Sequence, residues 1–280
     1  MSVFRKVFYT VPAPWRLWLR RFVFWPYDMV FPPGFYHRIP LPPRRKIFTG
    51  AGNFVATAER LVQYAEGTAQ LLPTSTVLDI GCGLGRLAYP LSQKLTPPGA
   101  YIGFDPMQEA IAWCRQNFQQ YPLLKFVHAS LFNDLYNDSG AEAKNFKFPV
   151  ESSSMEVIFA ISVFTHLLPD EVINYLKEIK RTMAPGGHAF ITFFLLKPDT
   201  TSPLSFSFKY HHGHYSVMSR KVWRANVAYQ LSWLTEQVSI NGLKIKHQQL
   251  GSWQGDSSAW DFQDVLILTH TSDNYLLVYK

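Results

Sequence analysis

Residues 76–87 read Thr-Val-Leu-Asp-Ile-Gly-Cys-Gly-Leu-Gly-Arg-Leu, a β-branched run that ends in glycines at 81, 83 and 85 and passes into a helix-like stretch. The pattern is a strand that turns sharply into a helix. Glycine admits the positive φ angles such a turn needs and leaves bare backbone for a ligand to lie against. The helix start points unpaired N–H groups at the same place. Such a turn fits a nucleotide-like ligand without saying which one. Working outward, Tyr101-Ile102-Gly103-Phe104-Asp105 reads as a second strand with an acid at its tip, 24 residues beyond Gly81. A carboxylate there is placed to accept hydrogen bonds from two ribose hydroxyls.

Two details separate the ligands. The turn lacks the third glycine of G-x-G-x-x-G, and Asp79 stands just before it. A carboxylate at that point repels a pyrophosphate and attracts an amino group. The ligand with ribose hydroxyls, an ammonium group and no phosphate is S-adenosylmethionine. Val77 to Gly85 resembles the first motif of class I S-adenosylmethionine-dependent methyltransferases, and Asp105 matches the acid that ends their second strand. Val157 to His166 resembles their fourth strand and following loop, and Leu176 to Gly187 the helix and P-G-G turn that open their fifth. More loosely, residues 50–270 are similar to bacterial methyltransferases that accompany glycan or surface-polymer synthesis. Ser162 to Leu167, Tyr136-Asn137 with Gly140, Gly251-Ser252-Trp253 and Phe262-Gln263-Asp264 carry that likeness.

The resemblance implies an α/β fold: a doubly wound, mostly parallel, seven-stranded Rossmann-like sheet with an antiparallel last strand. It implies an enzyme that uses S-adenosyl-L-methionine and releases S-adenosyl-L-homocysteine. Gly81, Cys82, Gly83 and Gly85 would offer backbone to the cofactor, Cys82 by its main chain only. Asp79 would take the methionine amino group, directly, through water or through the N–H groups of the turn. Asp105 would hold the ribose, with Pro106 and Met107 beside the adenine, and Ser162 would meet the methionine portion. The chain departs from the family after the third strand, where Ser130-Leu131 stands in place of an acid for the adenine amino group; Asn133 and Asp134 are alternatives.

Alternating elements support this layout. Helical spacing at Phe54, Leu61, Val62, Ala65, Ala69 and Leu72 predicts a helix that Pro73 ends. Strands follow at about 76–80, 101–105, 124–128, 156–161 and 188–195, with helices at about 85–95, 108–120 and 169–183 between them. Residues 131–154 read as a long loop. Residues 197–220, rich in Pro, Ser, Phe and His, read as a lid or substrate wall. A helix over about 221–240 and strands near 243–250 and 263–270 complete a domain spanning 51–280.

The net charge of +7 is unevenly spread. Residues 1–50 hold nine Lys and Arg against one acid, Asp28, and 13 of the 44 aromatics; residues 51–280 hold 18 bases and 19 acids. The chain is a near-neutral body with a basic, aromatic arm. Trp15 to Trp25 is compatible with a short amphipathic helix suited to an anionic membrane surface, which residues 1–30 would contact. Packing on the core or on a second copy competes with that reading, and nucleic acid is the weaker third. Prolines from 12 to 43 argue against one long helix, and Pro40 to Lys46 reads as an extended basic linker. No run approaches the ~18 apolar residues of a membrane span. Two cysteines suggest a reducing compartment, no metal-ligand spacing is present, and the expected location is cytoplasmic, peripheral on the inner membrane face.

Methyl transfer mainly requires the acceptor to be held in line, an effect worth up to ~7–11 kcal/mol. A hydroxyl acceptor also gains from a general base, typically ~10²–10⁴-fold. His166, just past the fourth strand, is the first candidate; His211 in His211-His212-Gly213-His214 is the second. Tyr136 would line the acceptor pocket, and Trp253 and Trp260 are candidates to stack on a sugar, with core packing the competing role. The expected acceptor is a small molecule, best read as a hydroxyl of a glycan or lipid-linked sugar. RNA methylation and a non-catalytic cofactor-binding subunit are the alternatives.

Overall fold

From the N-terminus, helix α1 (Ala13–Val30) leads into a small hairpin of β1 (Phe35–Tyr36) and β2 (Ile39–Pro40). Then come α2 (Phe54–Thr68), β3 (Thr76–Ile80), α3 (Ala88–Lys94), β4 (Ala100–Asp105), α4 (Gln108–Asn117) and β5 (Leu124–His128). The second half runs β6 (Met155–Ala160), α5 (Pro169–Thr182), β7 (Met183–Phe193), β8 (Leu195–Leu196), β9 (Tyr210–His212), β10 (Tyr215–Val217), β11 (Val227–Gln230), α6 (Leu231–Ile240), β12 (Leu243–Gln249) and β13 (Asp264–His270). This computed structural model describes residues 13–47, 53–132, 140–197, 206–256 and 258–272. Tyr136, Asn133, Asp134 and Asn137 lie outside the described residues, as do residues 1–12 of the arm and 198–205 of the insertion.

The main sheet has seven strands in the order β12-β13-β7-β6-β3-β4-β5. β3 pairs parallel with β4 and β6, and β6 pairs parallel with β7. The last strand, β13, runs antiparallel to β7 with Asp264 opposite Phe193. Side chains alternate across the sheet. Leu78, Ile158, Ala189 and Ile191 join the core beneath α5 and α6, while Val77, Phe159, Phe190 and Ile267 join the one beneath α2, α3 and α4. Burial on both faces is what the near-continuous apolar strands required.

Helix ends follow local chemistry. The Asn53 side chain accepts from the Val55 and Ala56 N–H groups at 3.0 Å and starts α2. Pro169 opens α5, and the Glu171 carboxylate takes the Leu168 N–H at 2.7 Å.

Four expectations need correction. The helix after the glycine turn begins only at Ala88, because Gly81, Gly83 and Gly85 take φ angles of +70°, +53° and +73°. Pro185-Gly186-Gly187 is part of β7 and not a turn before it; a register shift between Met155 and Val157 accommodates the irregular start. The helix expected over 221–240 is α6 alone. Val227, Ala228 and Tyr229 are wholly buried, and that burial is met by β11, whose Tyr229 pairs with Tyr215 of β10 and Leu195 of β8. With β9 these strands make a four-stranded sheet in the order β8-β11-β10-β9, so the described part of the insertion is a built cap. Lastly, Pro40 to Lys46 is no extended linker. Buried Asp28 accepts the N–H groups of Arg44 and Arg45 at 2.7 and 3.1 Å and folds Arg44–Lys46 into a helical turn against α1.

Candidate active site

The glycine turn joins β3 to α3 and is held from two sides. A Cβ on Gly81 would stand 2.6 Å from Val163 Cγ2, so the turn abuts the loop after β6. On Gly85 it would meet Cys114 Sγ at 3.1 Å, whereas on Gly83 it would meet nothing within 4 Å. Bare backbone facing open space at Gly83 is the cradle a ligand needs. Cys82 is buried, and burial pushes its thiol well above the ordinary range, so only its main chain is available for contact. Both cysteines are free.

Asp105, at the tip of β4, ties this cradle to the next strand. Its Oδ2 accepts the Gly83 N–H and its Oδ1 the Met107 N–H, both at 2.8 Å. Burial raises its pKa from 3.8 to about 6, opposed by those two N–H groups and by His128. Each carboxylate oxygen keeps a second lone pair, the capacity two ribose hydroxyls require. His128 Nε2 donates to the Pro106 carbonyl at 3.2 Å and steadies the turn, with Met107 half-buried at the start of α4. Asp79 lies deeper, 3 % exposed, and its Oδ2 accepts the Tyr101 hydroxyl at 2.7 Å. Burial raises its pKa from 3.8 to about 7; the Tyr101 bond and Arg86 oppose this, and Asp105 adds to it. An ammonium group at the turn would face Asp79 behind it. The cradle, the free lone pairs of Asp105 and the buried acid behind the turn fit S-adenosylmethionine. Farther along the edge, Ser130 is exposed after β5, and Leu131 is buried and bridged to Ala141.

A second polar group stands where β6, β7 and β13 meet. Ser162 adopts φ +59°, an uncommon conformation for a residue with a side chain. Its N–H donates to Thr192 Oγ1 at 2.7 Å, and its hydroxyl and that of Thr192 both donate to Gln263 Oε1, at 3.0 and 2.6 Å. Ser162 precedes Val163, the residue that abuts Gly81, so this group neighbours the glycine turn. Ligands of open α/β sheets sit at this carboxyl edge.

His166 is half-buried in a helical turn spanning Phe164–His166, and its Nδ1 lies 2.7 Å from the Arg224 carbonyl. A carbonyl only accepts, so Nδ1 carries the proton and Nε2 is the basic nitrogen of the neutral ring. Arg224 is itself clamped: its guanidinium donates to Glu171 from Nε and Nη2 at 2.8–3.3 Å, with both side chains largely buried. His211 is exposed on β9, an edge strand of the cap, with its Nδ1 by Ser216 Oγ at 2.8 Å, and no hydrogen bond joins it to the glycine turn among the described residues. Trp253 takes the core-packing role: it is 1 % exposed and its indole N–H donates to Asp264 Oδ2 at 2.7 Å. Trp260 stacks on Tyr64 at 4.0 Å. No group of three His, Cys, Asp or Glu is placed to hold a metal among the described residues.

Three features escaped sequence reasoning. Arg86 follows the turn, lies over the Phe54 ring and is drawn to Asp79 and Asp261, while burial lowers its pKa. The Glu171–Arg224 clamp joins residues 53 apart, beyond any local pattern. Tyr101 was legible as a strand residue, but its bond to Asp79 follows only from the pairing of β3 with β4.

Residues 78–189 match the family described as Methyltransferase domain. The chain is 25% identical over 114 residues to the tRNA N(3)-cytidine methyltransferase of Gallus gallus, a match covering 40% of this chain and 28% of that protein. It thus spans under a third of the length of the curated relatives it matches. Among solved structures it is similar to a protein from Pyrococcus horikoshii, with a TM-score of 0.52 at 13% identity, covering 87% of this chain and 98% of that one. It is similar as well to an S-adenosylmethionine-dependent methyltransferase from Clostridium acetobutylicum, with a TM-score of 0.51 at 12% identity, covering 78% and 92%. These likenesses bear on the fold. With the turn, the acid of β4 and the domain matched over residues 78–189, the findings support a methyltransferase domain of class I fold that uses S-adenosylmethionine.

Proposed function

We propose that this chain methylates a hydroxyl of a small-molecule acceptor, a glycan or lipid-linked sugar, with His166 as the general base, in a cytoplasmic setting at the inner membrane face. The cofactor supplies an electrophilic methyl group on a sulfonium; the residues of the chain hold, orient and deprotonate. Asp105 and the Gly81–Gly85 turn position the nucleoside, and Asp79 favours the amino group. The Ser162–Thr192–Gln263 group offers hydrogen bonds to an oxygen-rich acceptor. His166 takes the hydroxyl proton on Nε2 as the new bond forms. The observation that carries this reading is the bond from His166 Nδ1 to the Arg224 carbonyl, which sets the tautomer a base must have. Incubation with labelled S-adenosylmethionine and a panel of sugars, lipid-linked sugars and tRNA tests it. Label on a sugar hydroxyl, lost in His166→Gln, is expected; label on no sugar refutes it.

A second reading, an RNA substrate, is favoured by the curated relatives, whose names give tRNA as their substrate. Against it, residues 51–280 carry 18 bases and 19 acids, a poor match for a polyanion. Transfer to tRNA that collapses with rising salt would establish it. Cofactor binding without transfer to any acceptor would favour the non-catalytic subunit.

A further inference from the structure

Most of the aromatic side chains described on α1 are exposed. On α1, Trp18, Phe22, Trp25 and Met29 fall at i, i+4, i+7 and i+11, one stripe of a helix, and are 55%, 66%, 54% and 67% exposed. Val30, Phe31 and Phe35 continue the surface at 69%, 60% and 71%. Trp18 and Phe22 stack on each other at 5.7 Å. Val23 and Tyr27 of the same helix are exposed too, and outside this segment the exposed large apolar side chains among the described residues are Leu72, Ile240 and Phe262, which are scattered. A contiguous apolar surface of this kind marks a contact with another phase or molecule.

The segment is also anchored. Arg21 pairs with Glu109 in the first turn of α4, and the Tyr36 hydroxyl donates to Glu59 at 3.1 Å. Tyr89 donates to the Pro40 carbonyl at 2.6 Å, and Ile39 is wholly buried. The hydrophobic stripe therefore sits on a platform tied to the domain, four residues from Asp105 at Glu109.

Charge selects the occupant. The sole acid of the first fifty residues, Asp28, is 7 % exposed and bound by the Arg44 and Arg45 N–H groups. The exposed charged side chains described on this segment are cationic, Arg38 and Arg44. Exposed Trp and Phe with surrounding bases and no outward acid match the interface of a bilayer carrying anionic lipid. No helix among the described residues is long and apolar enough to cross a membrane, so the contact is a lateral one. We propose that residues 18–44 dock this domain on an anionic membrane surface. This deepens the proposed function by naming where a lipid-linked acceptor would be met, but its test is independent.

The full chain is sedimented with vesicles of phosphatidylcholine alone or mixed with phosphatidylglycerol, at low and high salt, beside the triple variant Trp18→Ser/Phe22→Ser/Trp25→Ser. S-adenosylhomocysteine affinity is measured for both. Binding to phosphatidylglycerol vesicles that weakens with salt and falls at least tenfold in the variant, with S-adenosylhomocysteine affinity unchanged, is expected. Equal vesicle binding by variant and parent overturns the proposal. So does a dimer, or a complex with tRNA, that the variant abolishes while the parent ignores vesicles. Failure of the parent to bind S-adenosylhomocysteine would strike the proposed function and leave the vesicle result to decide docking by itself.

Discussion

Asp105→Ala removes the acceptor of the Gly83 and Met107 N–H groups, which the proposed function also assigns to the two ribose hydroxyls. Hydrogen bonds to a charged acceptor contribute ~1.5–3 kcal/mol each, so losing even one net bond to ribose weakens S-adenosylhomocysteine about 10- to 150-fold. The fold is expected to tolerate the change. Near neutral pH the ionised carboxylate is already held at a net penalty, its pKa raised from 3.8 to about 6 by burial, so its removal takes away little stabilising charge. The Gly83 N–H loses a partner but adjoins open space that water can fill. Isothermal calorimetry with S-adenosylhomocysteine reads the affinity, and a thermal melt reads the fold. Asp105→Asn, which keeps one acceptor oxygen, should fall between parent and Ala. An Ala variant that melts like the parent and binds within twofold of it would refute the ribose assignment.

The two glycines of the turn should fail differently. Gly81→Ala places a methyl 2.6 Å from Val163 at φ +70° and should lower the melting temperature. Gly83→Ala meets open space at φ +53°, costing about 1 kcal/mol in strain, and should instead lose ligand affinity; calorimetry beside melts separates them. For Asp79, the folded pKa of about 7 lies above the ordinary 3.8, so the folded chain binds the extra proton, and this group's stabilising contribution is lost as pH rises from about 4 to 7. Asp79→Asn should flatten that fall, a swing of about 4 kcal/mol, in denaturant titrations; an unchanged pH profile would contradict it. Glu171→Ala removes the carboxylate partner of the Arg224 guanidinium and of the Leu168 N–H, and should cost ~3–5 kcal/mol. A variant melting within two degrees of the parent would show the clamp to be idle.

The sequence made the sheet legible where chemistry is local. Strand alternation, the glycine spacing and the acid 24 residues on follow from backbone needs that few residues meet, and β3, β5 and the mostly parallel sheet with its antiparallel last strand appear as expected. Where tertiary partners decide, it did not. Val227 to Tyr229 could continue a helix or form a strand on local grounds; burial between β8 and β10 chose the strand. Arg44 to Lys46 folds back because a carboxylate 16 residues earlier is buried beneath it. His166 was visible by position, but its tautomer comes from a carbonyl 58 residues away.

Calorimetric titration of the purified chain with S-adenosylhomocysteine, run beside NAD and repeated with Asp105→Ala, tests the cofactor site most directly. One-site binding of S-adenosylhomocysteine, weakened at least tenfold by the substitution and absent for NAD, is the expected result. A folded chain that takes NAD in preference, or binds neither, contradicts the assignment of the turn and of everything built on it.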